Sequence, residues 1–338
     1  MKNLLTRLLL ALALSACPAL AQTALDEVTL INGSRILGTV MGARDGVLTV
    51  ATDFAGTLSI AADQVASVTT NTAVSLLMAD NAVIENVPLT VREGQLLVAS
   101  EPRYALTDLK VVNPAPWELG EGYNWTGIAE AGWVMQRGNT DTDELNYKLE
   151  STWLSTRDRY TLKWYGENDE VNGQKSADNW QLTGKYDYFL DDPNYWGMQV
   201  ALEEDKFADL ELRTLIGPYI GRQFFAAPVF TFSGEVGLSY VEEDFFEADD
   251  QEYAAATWAL KATSDVLGGD SRLYFDQTGI WSLDDTSDLI VKSIFGLGFP
   301  LMWNFEAAAE VQLEYDSGIV REKEELDQTY RFRVGYSW

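Results

Sequence analysis

Histidine is absent from the 338 residues, and Cys17 is the only cysteine. Without histidine there is no imidazole base for a Ser-His-Asp or Cys-His arrangement, no histidine metal ligand, and no side chain that titrates unperturbed near neutrality. Lipase and protease mechanisms that need that base are excluded with it. One cysteine forms no internal disulfide and no thiolate metal site. Basic residues are also scarce: 24 Lys and Arg stand against 52 Asp and Glu, a formal charge of −28 at pH 7. Nucleic-acid phosphates would be repelled by such a chain, so no nucleic-acid partner is expected. After the N-terminal segment, no apolar run approaches the roughly 20 residues that a membrane-spanning helix requires.

That N-terminal segment is short and specific. Lys2 and Arg7 carry positive charge ahead of an apolar core from Leu8 to Leu14, and Ala19-Leu20-Ala21 places small residues before Gln22, the pattern of an export signal over residues 1–21. Leu14-Ser15-Ala16-Cys17 also fits a lipoprotein cleavage site, which would leave lipid on Cys17; cleavage after Ala21 and lipidation both stand as readings. Removing residues 1–21 takes away two cations and no anions, so the mature charge is 22 minus 52, or −30.

What the chain has in place of helices is alternation. Tyr330, Phe332, Val334, Tyr336 and Trp338 alternate with polar or small residues, and ten-residue segments of this kind recur between acidic or glycine-containing turns. Period-two alternation with one consistently apolar face predicts an antiparallel transmembrane β-barrel over residues 123–338. Twelve strands are expected, near 125–136, 144–154, 158–168, 178–189, 195–204, 210–221, 228–241, 252–263, 271–281, 287–299, 303–315 and 329–338. An even count returns both barrel termini to one side. Acidic segments such as Glu167 to Asp178, Glu203-Glu204-Asp205 and Glu242 to Asp250 are expected in outer loops. Tyr195-Trp196 and Leu301-Met302-Trp303 are expected in interfacial aromatic girdles.

Residues 25–110 follow a different rhythm. Short β-branched strands separated by Asn32-Gly33 and Asp45-Gly46 predict a small SH3-like β-module, with a weaker echo at Ala82 to Val98, where Glu93-Gly94 again makes a turn. On the barrel's periplasmic side this module would serve as a spacer or bind peptidoglycan or a periplasmic protein. Residues 111–122, with Pro114, Pro116, Gly120 and Gly122, read as a linker.

Alternation also sorts the charged residues. Those facing inward include Lys148, Lys163, Lys185, Arg213, Lys292, Glu306, Glu310, Arg331 and Arg333. Both signs occur, so pairs that close the bore and a narrow polar passage for small solutes are alternative outcomes. The acidic loops offer oxygen ligands for weak divalent-cation binding, but no spacing matches a calcium loop, and neither a resident metal nor a cofactor is expected. With no histidine and no held pair of acids, no enzymatic role is expected. Tyr330, Phe332, Val334, Tyr336 and Trp338 form a candidate recognition strand for the barrel-assembly machinery.

Three stretches carry a family resemblance: Trp125-Thr126-Gly127-Ile128-Ala129-Glu130-Ala131-Gly132, Gln136-Arg137-Gly138-Asn139-Thr140-Asp141-Thr142, and Tyr330 to Trp338. In these the chain resembles the YdiY-like family of salt-induced outer-membrane proteins, a domain of unknown function, over roughly residues 118–338. The resemblance implies an outer-membrane barrel with no established reaction; separately, outer-membrane lipid and lipopolysaccharide are the expected surroundings and an envelope role is the expected function. The resemblance supplies no catalytic or ligand residues.

Overall fold

The computed structural model describes residues 25–44, 46–98, 101–138, 141–191, 193–227, 229–268, 271–317 and 326–338. The export signal and Cys17 lie outside the described residues. The chain divides into two compact units between Ala115 and Pro116.

The first unit is a sheet of β1 (Asp26–Leu30), β2 (Arg35–Arg44), β3 (Val47–Thr52), β4 (Gly56–Ala61), β5 (Val65–Met78), β6 (Val83–Arg92), β7 (Gln95–Val98), β8 (Glu101–Ala105) and β9 (Leu109–Val112). Its path repeats. Four strands and a 3-10 turn at Ala62–Gln64 lead into β5, which returns antiparallel onto β1 through Val28↔Val68. The far half of β5 then begins the same path again through β6, β7, β8 and a 3-10 turn at Leu106–Asp108, closed by β9 through Leu76↔Val112. The expected echo is thus a full second repeat, and one 14-residue strand serves both. Its ladder with β6 shifts register between Thr69 and Ala73, where one repeat gives way to the other. Both turn glycines of the paired hairpins, Gly46 and Gly94, have positive φ (78° and 74°), which a side chain would resist. Val28, Val50, Val68, Leu76, Leu89, Val91 and Leu96 form one buried core. Buried Asp26 ties the sheet together by accepting the Val40 N–H at 2.8 Å and the Asn71 N–H at 2.7 Å.

The second unit is a closed antiparallel barrel of twelve strands. They are β10 (Asn124–Gln136), β11 (Thr142–Leu154), β12 (Asp158–Val171), β13 (Gln174–Asp191), β14 (Asn194–Asp205) and β15 (Leu210–Ala227). The ring continues with β16 (Phe230–Phe245), β17 (Gln251–Ser264), β18 (Arg272–Ser282), β19 (Leu289–Pro300), β20 (Phe305–Asp316) and β21 (Leu326–Ser337). Each expected strand overlaps one of these. Closure satisfies the backbone polar groups that lipid would otherwise leave unpaired. Among the described residues no helix is long and apolar enough to cross a membrane.

Of the acidic segments expected in loops, Glu167 to Asp178 and Glu203-Glu204-Asp205 lie largely in strands, and Glu242 to Asp250 begins in one before its loop at 246–250. Glu167 to Asp178 is a hairpin: β12 continues to Val171, β13 begins at Gln174, and Asn172-Gly173 turns between them with φ of 52° and 76°. Two consecutive positive φ values suit the right-handed twist of a two-residue hairpin, and Asn-Gly accepts them at low cost. Glu203-Glu204-Asp205 ends β14, and Glu242-Glu243-Asp244 lies within β16. Paired strands run on past the apolar belt, because ladder hydrogen bonds do not depend on apolar side chains. Loop length still separates the two rims: connections 137–141, 206–209, 246–250, 283–288 and 317–325 on one rim are mostly longer than 155–157, 192–193, 228–229 and 301–304 on the other, with the hairpin 172–173 and the connection 265–271 as exceptions.

Candidate functional site

Alternation gives the barrel wall two unlike faces. Trp133, Trp164, Val236, Leu238, Phe295 and Phe332 point outward and are 45 to 77% exposed, the surface a lipid belt requires. Trp125 stacks on outward Trp153 at 6.3 Å and meets Trp338 edge-on at 5.7 Å. The opposite face encloses an interior cavity of about 750 Å³.

Eight of the nine sequence-selected charged residues line this cavity, all but Glu306, and the structure gives each of the nine a partner of opposite charge. Lys148 lies 3.2 Å from Glu310 and 3.4 Å from Glu130, while Arg333 pairs with Glu310 and donates to Asn146 at 2.8 Å. Arg331 meets Glu167 at 2.6 Å. Lys185 pairs with Glu235, and Arg213 bridges Glu203 at 3.0 Å and Glu243 at 2.5 Å. Lys292 lies 3.6 Å from Glu314, and Glu306 holds Arg272 at 2.8 Å. Lys163 approaches Glu150 at 3.9 Å, and Lys261 reaches the same carboxylate at 3.3 Å. That last contact joins β17 to β11, six strands apart in a ring of twelve. It therefore spans opposite walls. Lys292 also crosses the bore, standing 4.6 Å from the ring centre of Tyr165 on β12.

Sequence reasoning missed a second layer of the site, the inward tyrosines. Tyr195 donates to Glu235 at 3.0 Å, Tyr253 to Glu243 at 3.1 Å and Tyr274 to Glu310 at 2.7 Å, while Tyr219 donates to Asp187, which Arg159 also holds at 2.6 Å. Tyr195 is thus not a girdle residue; it is 5% exposed and faces inward, while its neighbour Trp196 faces outward at 40%. One residue of offset decides the face. Three of these rings lie over glycines on the adjoining strand: Tyr195 over Gly221, Tyr219 over Gly197 and Tyr274 over Gly296. A Cβ on any of those glycines would collide with ring carbons. The glycines let the rings lie along the wall so that their hydroxyls reach carboxylates. Glu243, expected in a loop, is 4% exposed and central to one such cluster. Beside it Leu215, Val241, Tyr253 and Ala255 form a small apolar core inside the bore. Arg159 could have been found from its two-residue offset to Thr161 and Lys163, but the Tyr-Gly pairs needed the register between strands.

At one rim, Asp288 precedes β19. Its carboxyl is pushed up to about 6, first by burial and then by the neighbouring charges of Glu243 and Asp316, with Arg213 opposing. No group of three potential metal-ligating residues occurs among the described residues. The interior is a set of hydrogen-bonded ion pairs, chemistry suited to fixing walls in place.

A family model described as "Protein of unknown function, DUF481" matches residues 129–338. The uncharacterized protein YdiY of Escherichia coli (strain K12) is 23% identical over 193 residues, which cover 53% of this chain and 74% of that protein. Among solved structures, a NanC porin aligns over 63% of this chain and 98% of its own at 14% identity, with a TM-score of 0.41. A KdgM porin aligns over 64% of this chain and 98% of its own at 11% identity, with a TM-score of 0.32. The family match spans most of the chain, and the chain belongs to the YdiY-like DUF481 family.

Proposed function

We propose that this protein is a structural outer-membrane barrel that contributes to envelope integrity, with a bore closed to free diffusion at its waist. The observation that carries the reading is the Lys261–Glu150 contact between opposite walls, reinforced by Lys163 on the same carboxylate. Unpaired charge is costly away from bulk water, so a set of matched pairs is a stable filling for a narrow barrel. Both barrel termini share a side, which supports a periplasmic N-terminal module exported under the N-terminal signal. The repeated path of strands and 3-10 turns supports an SH3-like character for each repeat, with peptidoglycan or a periplasmic protein as the module's partner. Trp338 would act as the terminal recognition residue for the barrel-assembly machinery, and lipid with lipopolysaccharide would surround the wall.

A low-conductance passage for small solutes is the second reading. Its support is the cavity of about 750 Å³ beside the ion pairs. Purified full-length protein in planar bilayers tests the two: electrical silence together with envelope-stress sensitivity on deletion agrees with the structural role. Discrete single-channel steps would reverse the order of the readings.

A further inference from the structure

The ring closes unevenly. Neighbouring strands elsewhere share ten or more paired residues, as in Ala255↔Ser282 to Ser264↔Leu273. The first and last strands share four, Ile128↔Ser337 to Ala131↔Val334, next to the two backbone hydrogen bonds exchanged by Gly127 and Trp338. Farther from Trp338, residues 132–136 of β10 are laddered only to β11, and residues 326–333 of β21 only to β20. The outward side chains here are apolar: Trp133, Met135, Tyr330 and Phe332 are 68, 53, 68 and 77% exposed. This stretch therefore lies at hydrocarbon depth, where strand edges without ladder partners are disfavoured.

Side chains hold what the ladder does not. Arg333 Nε on β21 reaches past β10 to Asn146 Oδ1 on β11 at 2.8 Å, and Arg331 reaches Glu167 on β12 at 2.6 Å. The two edges still meet at Gly132, where an added Cβ would strike the Phe332 carbonyl oxygen. The seam is shut, but by a latch of two arginines.

We infer that this half of the β10–β21 seam is a lateral portal between the interior cavity and the surrounding lipid, and that it admits a single-chain amphiphile with a carboxylate head. With no ladder to break beyond Ala131↔Val334, these edges can part without losing paired backbone bonds, and Trp133, Met135, Tyr330 and Phe332 present an apolar bed for one acyl chain. Its body would lie along the outward apolar residues. Its carboxylate would meet guanidinium groups whose present partners, Glu167 and Glu310, are themselves carboxylates.

Two measurements on the full-length protein in lipid nanodiscs, in a Cys17→Ala background, test this. The first compares disulfide formation in Met135→Cys/Tyr330→Cys, positions that a continued ladder would place opposite each other, with Ala129→Cys/Tyr336→Cys in the paired half. Slower closure of the Met135/Tyr330 pair is expected, and equal rates would overturn the portal. The second uses a diazirine-bearing palmitate and maps the label by mass spectrometry. Label should reach inward Asn146 or Thr329, be lost once the 135–330 disulfide has formed, and return on reduction. Label confined to outward residues, or unchanged by the lock, overturns the proposal.

Discussion

Glu310 is where the interior is most exposed to a single substitution. Its carboxylate, 5% exposed, accepts from Tyr274 at 2.7 Å and holds Arg333 and Lys148. Glu310→Ala strands the Arg333 guanidinium, itself 7% exposed, although Lys148 keeps Glu130 at 3.4 Å. Removing one partner of a buried pair costs about 3–5 kcal/mol. With a urea slope of about 2 kcal/mol per molar, the unfolding midpoint in lipid vesicles should fall by roughly 2 M. Glu306→Ala on the same face of β20 is the internal control. Its partner Arg272 has a side chain 42% exposed, so water takes over the charge and the loss should stay below about 1 kcal/mol. The double variant Glu310→Met/Arg333→Met, which removes both charges and keeps the volume, should recover most of the stability. Tryptophan fluorescence along a urea series gives all three midpoints. Equal shifts for Glu310→Ala and Glu306→Ala, or no recovery in the double variant, would refute the claim that buried pairing governs the interior.

Two further outcomes follow from the rim and the terminus. Because the folded Asp288 carboxyl titrates near 6 against an ordinary 3.8, the folded state holds a proton there that the unfolded state releases, and stability falls as pH rises between those values. Asp288→Asn should flatten that fall and raise the urea midpoint at pH 7 while leaving it unchanged at pH 3.5; a profile parallel to wild type would contradict the assignment. Deleting Trp338 removes both 3.0 Å hydrogen bonds with Gly127 and the contact with Trp125, so heat-modifiable, membrane-inserted protein should be lost. Normal insertion without Trp338 would make the terminal ring merely interfacial.

The barrel was legible because lipid imposes a rule with a period of two. Trp180, Leu182, Tyr186 and Tyr188 against Gln181, Thr183, Lys185 and Asp187 reveal both a strand and its faces. The same rule marked the inward charges but not their partners: Lys261 and Glu150 are separated by 111 positions and joined only by the closure of the ring. Where strands leave the hydrocarbon the rule lapses, which is why Glu167 to Asp178 and Glu242-Glu243-Asp244 resembled loops. In the N-terminal unit the two repeats share turn chemistry, Asp45-Gly46 and Glu93-Gly94, more than side chains. The second repeat consequently read as an echo, and the dual role of β5 awaited its pairing.

The glycines beneath the luminal tyrosines set the calibre of the tube. Each ring occupies a notch in the wall that the neighbouring strand leaves by having no side chain, so aromatic bulk is stored at the circumference and the bore is left to the charged side chains that cross it. Filling a notch, as Gly296→Ala or Gly197→Ala would, changes no charge and touches no ion pair directly. It would still swing a phenol ring toward the axis and pull its hydroxyl from a carboxylate. Bore width in this barrel is therefore written at glycine positions, and among close relatives a larger residue at one of them should be accompanied by a smaller one at the tyrosine opposite.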